Sequence, residues 1–289
     1  MVKEVTDAPR GKHSLINYKN FVSTRHSQAE EVVEVPQRLG RRESEPHSKG
    51  IMELYDVLVS NFPSDRTMPD LHHYFQVKNE KIDIQFDLSY FRNFQLDYEL
   101  SSYNAEKFKN KPPDMAINIL SKSTYLKDLG YNVDLCKEIG ILVYVIFSTH
   151  KFSVRLYEPP FLRVYILKDG KEYEVKTIQG ETLDETGNII KENMIETSPI
   201  LPFNIGVIKR GVKFEGGTET YKLILINPKT LEIYKTKEEM ERIRADREKE
   251  RADREKERAD REKERADREK ERADKLEKIL EEYRRKYSR

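Results

Sequence analysis

The sequence predicts an α/β protein: a mixed sheet with flanking helices, a β-rich C-terminal part and a long charged helix at the end. Three observations predict it. Between Met115 and Phe147 an apolar run, an amphipathic stretch and a second apolar run follow one another, the order of a strand–helix–strand unit. On both sides of that unit lie short stretches of alternating apolar and polar residues, separated by turn residues. From Glu241 to Asp274, finally, 28 of 34 residues are charged, with 14 Lys+Arg against 14 Asp+Glu. Outside that segment 77 of 255 residues are charged, a share of about 30% that is usual for a globular domain. One ordinary domain carries an unusual tail. The organisation expected is an arm over 1–49, a domain over 50–236 and a charged helix over 237–289.

In chain order, residues 1–49 show no sustained period of 2 or 3.6 and read as a disordered arm. Its basic cluster Arg38, Arg41 and Arg42 could graze phosphates, but Glu30, Glu31, Glu34, Glu43 and Glu45 offset it. The run MELYDVLVSNF reads as a short helix stopped at Pro63. HHYFQV and KIDIQFDLSYF alternate around a charged turn at Lys78–Lys81 and predict a hairpin. On such a strand His72 and His73 face opposite sides, an arrangement that disfavours a shared metal. FQLDYELSS is a further strand candidate, with Asp97 and Glu99 on one side. DMAINILS follows as a central strand. In YLKDLGYNVDLCKEIG the apolar residues Leu126, Leu129, Val133, Cys136 and Ile139 fall at helical steps, with Ser123 or Thr124 as cap and Gly140 as stop. ILVYVIF is the second buried strand. SVRLYE, FLRVYILK, KEYEVKTI, VIKRGVKFE and YKLILIN supply further strands, and the polar connection 179–196 reads as a loop.

The tail repeats the heptapeptide RADREKE four times from Arg244. Strong helix formers with opposite charges four apart, such as Glu250 and Arg254, predict a helix. Only alanine recurs as an apolar residue until Leu276, Leu280, Tyr283 and Tyr287. An extended solvated helix is the first expectation; a coiled coil giving a homodimer through the last three turns is the second.

A lone Cys136 can close no intrachain disulfide, the start is unlike a signal peptide, and the longest apolar run is far short of a membrane helix. A cytoplasmic protein is expected, with no membrane partner. Formal net charge +1 excludes the strongly basic kind of DNA-binding protein. Walker, dinucleotide-binding, HExxH and paired CxxC motifs are missing from the sequence.

The constellation that stands out is Asp97 on one strand beside the run from Pro113-Asp114 to Asn118 and Ser121 on the next, with SKST and Asp128 following. Acidic groups on neighbouring strands with a lysine near them can hold Mg²⁺ and orient a water toward a phosphodiester. In that arrangement Asp97 binds the metal, Asn118 lends an oxygen, and Lys122 or Lys127 assists the water. Each residue also has a plainer reading. Asp97 fits an exposed strand position, Asn118 a buried amide bonded to backbone or to a neighbouring side chain, and the two lysines solvated charges.

PPDMAINILSKSTYLKDLG, GILVYVIF and FLRVYILKDGKEYEV resemble the putative restriction endonuclease family, a large set of proteins with the PD-(D/E)xK nuclease fold. The likeness runs from about residue 51 onward and includes YKLILINPKTLEIYKTKEE and the charged helix; ILSKST is its most specific part. It implies a restriction-endonuclease-like mixed sheet, a Mg²⁺-dependent endonuclease and DNA as partner. It also implies a degraded site. Asn118 stands where the family has a metal-binding Glu, and Asn132 where its helix carries Lys. Asn offers a neutral oxygen and no charge, so metal affinity and activity are expected to be weak or lost. Asp114, four residues from Asn118 and about 13 Å away at ~3.3 Å per residue, cannot replace the Glu. The rival expectation is a non-catalytic pseudo-nuclease that binds nucleic acid or protein, with the helix as spacer or oligomerisation element.

Overall fold

Alternating residues on either side of Lys78-Asn79 build a long hairpin, β1 (Arg66–Val77) with β2 (Glu80–Phe91), paired antiparallel from Arg66↔Phe91 to Val77↔Glu80. The computed structural model describes residues 44–151 and 157–287. Lys78 and Asn79 both take positive φ, 47° and 68°, as the tightest hairpin turns require. As expected, His72 is exposed beside Asp83, while His73 is buried.

β2 also pairs antiparallel with β4 (Met115–Ile119), which runs parallel to β5 (Val143–Ser148). A parallel pair needs a crossover, and α2 (Tyr125–Leu129) and α3 (Tyr131–Ile139) provide it. β6 (Phe161–Lys168) and β7 (Glu172–Ile178) add a hairpin on the far side of β5, and the short β3 (Tyr103–Asn104) lies parallel to β1 at the other edge. The seven strands follow the order β3-β1-β2-β4-β5-β6-β7. A second, three-stranded antiparallel sheet joins β8 (Met194–Ile195), β9 (Asn204–Phe214) and β10 (Thr218–Ile226).

β4 and β5 are buried along their whole length because both faces are covered. Ile117, Ile119, Val145 and Phe147 pack with Leu54 and Leu58 of α1 (Glu45–Asn61) and with Ile205 and Val207 of β9. Ala116, Tyr144 and Ile146 pack on the opposite side with Leu135 and Cys136 of α3. The chain is therefore α/β, with a mixed central sheet, as the sequence predicts.

Several expectations change. α1 begins at Glu45, inside the span expected to be an arm; residues 1–43, with the basic cluster, lie outside the described residues, as does most of SVRLYE. FQLDYELSS is not a strand. β2 stops at Phe91, Asn93 turns the chain with φ 49°, and the guanidinium of Arg66 takes the carbonyls of Leu96 and Tyr98 that a ladder would have used. The helix expected over Tyr125–Ile139 is two short helices that break at Gly130, where an added Cβ would stand 3.1 Å from the carbonyl oxygen of Leu126. Gly140 does end the second one, at φ 89°. The connection 179–196 closes with β8 and is less of a loop than its polarity suggests.

Contacts divide the chain at Lys235/Thr236. In the second unit Thr236 and Glu239 exchange side-chain–backbone hydrogen bonds, a capping box, and α4 (Lys237–Tyr287) runs for 51 residues. Three of its ion pairs place Glu four residues before Arg, Glu250–Arg254, Glu257–Arg261 and Glu264–Arg268 at 3.5, 3.0 and 3.0 Å, the orientation that also suits the helix dipole; Lys237–Glu241, at 3.9 Å, runs the other way. Among the described residues no helix is long and apolar enough to cross a membrane.

Candidate functional site

β2 and β4 part where their ladder ends, at Leu88↔Ile117. Asp87 and Asn118 come next on the two strands, directly opposite each other. There side chains continue what the backbone began. The carboxylate of Asp87 accepts the backbone N–H of Ile119 at 2.6 Å, and Oδ1 of Asn118 accepts, more weakly, the N–H of Asp87 at 3.4 Å. Each residue satisfies a main-chain donor of the other strand, which would otherwise be left bare at a partly buried fork.

Behind the fork, α2 and α3 bring in Asp128 and Asn132. Nδ2 of Asn118 and Nδ2 of Asn132 both donate to Oδ1 of Asp128, at 2.8 and 2.9 Å. The hydroxyl of Thr124 bonds that of Ser121 at 2.8 Å and favours the charged form of Asp128; Thr124 stands at the N-cap of α2, as expected, but makes no side-chain capping bond. Asn118, Asp128 and Asn132 are 5, 4 and 2% exposed. From the other side, His47 of α1 sets its Nε2 3.4 Å from Oδ2 of Asp87. Burial holds the Asp128 carboxyl above the usual carboxylate range, against the hydrogen bonds from Thr124 and Asn118 that pull it down.

These partners fix the Asn118 amide. Turned over, its oxygen would face the Asp128 carboxylate and its NH₂ would face the N–H of Asp87, a like-on-like contact at both ends. Asn132 keeps one uncompensated atom, a buried Oδ1 with no hydrogen-bond partner.

The sequence-predicted residues are only partly brought together. Asn118 is in the cluster. Asp97 is not: it is exposed in the segment after β2 and lines a surface cleft of about 540 Å³ with Asp65, Arg66 and Phe94. The aspartate beside Asn118 is Asp87, ten residues earlier. Lys122 is exposed in the turn between β4 and α2, and Lys127 is exposed on α2, where its charge favours ionised Asp128. Sequence reasoning missed Asp87 and His47. One signal existed for Asp87, a carboxylate inside QFDLSYF where both strand faces turn apolar. His47 falls in the span expected to be an arm and carried none.

The donors do not fit the Mg²⁺ that the family resemblance implies. A hard cation takes oxygens, chiefly charged ones, in octahedral order. At the fork Asn118 presents its oxygen to a main-chain N–H and its NH₂ to Asp128, while Asp87 is bonded to Ile119 and beside an imidazole. Among the described residues no group of three or more His, Cys, Asp or Glu is gathered as a metal site.

No protein-family model matches the chain, and no curated protein does. Among solved structures it is similar to a protein from Anabaena variabilis described as a putative nuclease belonging to DUF820. The two share 17% identity and a TM-score of 0.36, over 52% of this chain and 80% of that one; so slight a likeness carries neither site nor activity.

Proposed function

We propose that residues 44–235 form a nuclease-like core turned into a non-catalytic interaction module, its reactive centre replaced by a polar lock between sheet and helices. The observation that carries this reading is the double donation of Asn118 and Asn132 to Asp128. In the family that the sequence resembles, those two positions hold a Glu and a Lys. Exchanging both for Asn removes one negative and one positive charge together. The net charge there stays the same, and two groups that would act on a substrate become donors to one buried carboxyl, that of Asp128. DNA is the partner that the resemblance implies, and it is the first to test.

Plasmid nicking with Mg²⁺ or Mn²⁺ separates this reading from a weak endonuclease. The natural chain is expected to leave supercoiled DNA intact. The double variant N118E/N132K is expected to regain metal-dependent nicking that disappears when Asp87→Ala is added. Nicking by the natural chain that is lost in Asp87→Ala would establish a working centre and refute the proposal. Retarded migration of a DNA duplex with no cleavage would identify nucleic acid as the partner.

A further inference from the structure

We infer that the last two heptads of α4 pair with the same segment of a second copy of this chain, as an antiparallel, tail-to-tail coiled coil. This goes beyond the reading of the core and does not depend on it. Leu276, Leu280, Tyr283 and Tyr287 are 64, 53, 63 and 73% exposed, and their steps of four, three and four residues place them along one stripe of a helix. Tyr283 and Tyr287 already lie ring on ring, with centroids 5.6 Å apart and planes at 18°. Ile279, 52% exposed, borders the stripe.

The choice of a second copy, and of its direction, comes from charge. Counting in sevens, Ala245, Ala252, Ala259, Ala266 and Ala273 share one heptad position with Leu280 and Tyr287, while Leu276 and Tyr283 share another with Glu248, Glu255, Glu262 and Glu269. Over the repeat, this stripe of Ala and Glu is bordered by Lys on one side and Arg on the other. Laid parallel on a copy, the repeat sets Glu against Glu and Arg against Lys; laid antiparallel, it sets Lys against Lys and Arg against Arg. Either way it repels itself, so it stays single and solvated. Its internal ion pairs nevertheless form the helix beforehand, so association of the last heptads carries no cost of helix nucleation.

Antiparallel overlap of residues 276–287 lets the two repeats run apart. It places Leu280 against the partner's Tyr283 and Leu276 against the partner's Tyr287. It also sets Glu277 facing the partner's Arg284, and Arg284 facing the partner's Glu277. A parallel pair would instead hold Glu269 against the partner's Glu269 at the next layer and would leave Arg284 opposite the partner's Ile279.

Sedimentation of the full chain over a wide concentration series tests this. The mass is expected to rise from monomer to dimer and go no further. L276K/L280K is expected to remain monomeric with undiminished helical circular dichroism, because the substituted residues are 64 and 53% exposed and lysine is a good helix former. E277R alone and R284E alone are each expected to weaken the dimer roughly tenfold, as two pairs turn from attraction to repulsion, and E277R/R284E to restore it. A monomer at every concentration overturns the proposal, as does an assembly larger than two. So does a dimer that R284E does not weaken, which would be parallel, and one that R284E weakens and the double swap does not restore.

Discussion

Asp128 is the residue on which the polar lock turns, and its burial makes a signed statement about pH. A carboxyl whose folded pKa is raised binds its proton more tightly in the native chain than in the unfolded one. Its contribution to stability is therefore complete below the unfolded value of about 3.9 and is lost as pH rises through the folded value. Asp128→Asn cannot ionise, and its amide oxygen can still accept from Asn118 and Asn132. Urea unfolding is expected to show the variant gaining on the natural chain as pH rises above about 4, with the gain levelling off once Asp128 is fully ionised. A difference that is flat across that range would mean that Asp128 titrates normally. His73, which burial pulls down to about 4, contributes the opposite trend. It does so equally in both proteins, so it cancels from the difference.

At this scale the sequence was half legible. Asn118 could be picked out because it sits in a buried strand, and one of its plainer readings, an amide bonded to backbone and side chain, is what the structure contains. Asp97 was a reasonable partner on spacing alone. Choosing between Asp87 and Asp97 needs the register of β2 on β4, and a connection of 23 residues separates Phe91 from Met115. Nothing local fixes a register across such a gap; long-range packing does.

Among the elements, those with local signals were legible. The two hairpins, the parallel pair and the stop at Gly140 each follow from alternation, an apolar run or a turn residue. FQLDYELSS shows where local signals fail. Its alternation would serve a strand, but Arg66, about thirty residues away, binds its carbonyls and holds it as an irregular segment. The break at Gly130 is similar, since helical periodicity continues through it and only the backbone departs. Gly140 offers a clean test of such backbone reasoning. Its φ is 89° and an added Cβ would meet nothing within 4 Å, so Gly140→Ala carries only the cost of a left-handed backbone. A loss of about 1 kcal/mol in urea unfolding is expected. No loss would show that α3 can end in another way.

For the whole molecule, the resemblance read from PPDMAINILSKSTYLKDLG implied an ion centre, and the structure at that place holds a set of polar groups bonded to one another, with Oδ1 of Asn132 left over. Asp87 and Asn118 finish a strand ladder, Asp128 and Asn132 tie the crossover helices to it, and α1 reaches the same point through His47. A cluster arranged in this way joins three layers of the fold. Its parts are employed in holding the molecule together, which leaves function to surfaces and to the helix α4 and not to chemistry at the fork.

Calorimetric titration of the natural chain with Mn²⁺, beside the variant N118E/N132K, tests that claim most directly. No saturable heat is expected for the natural chain, and a saturable heat is expected for the variant that vanishes when Asp87→Ala is added. Saturable binding by the natural chain, lost on Asp87→Ala alone, would contradict it.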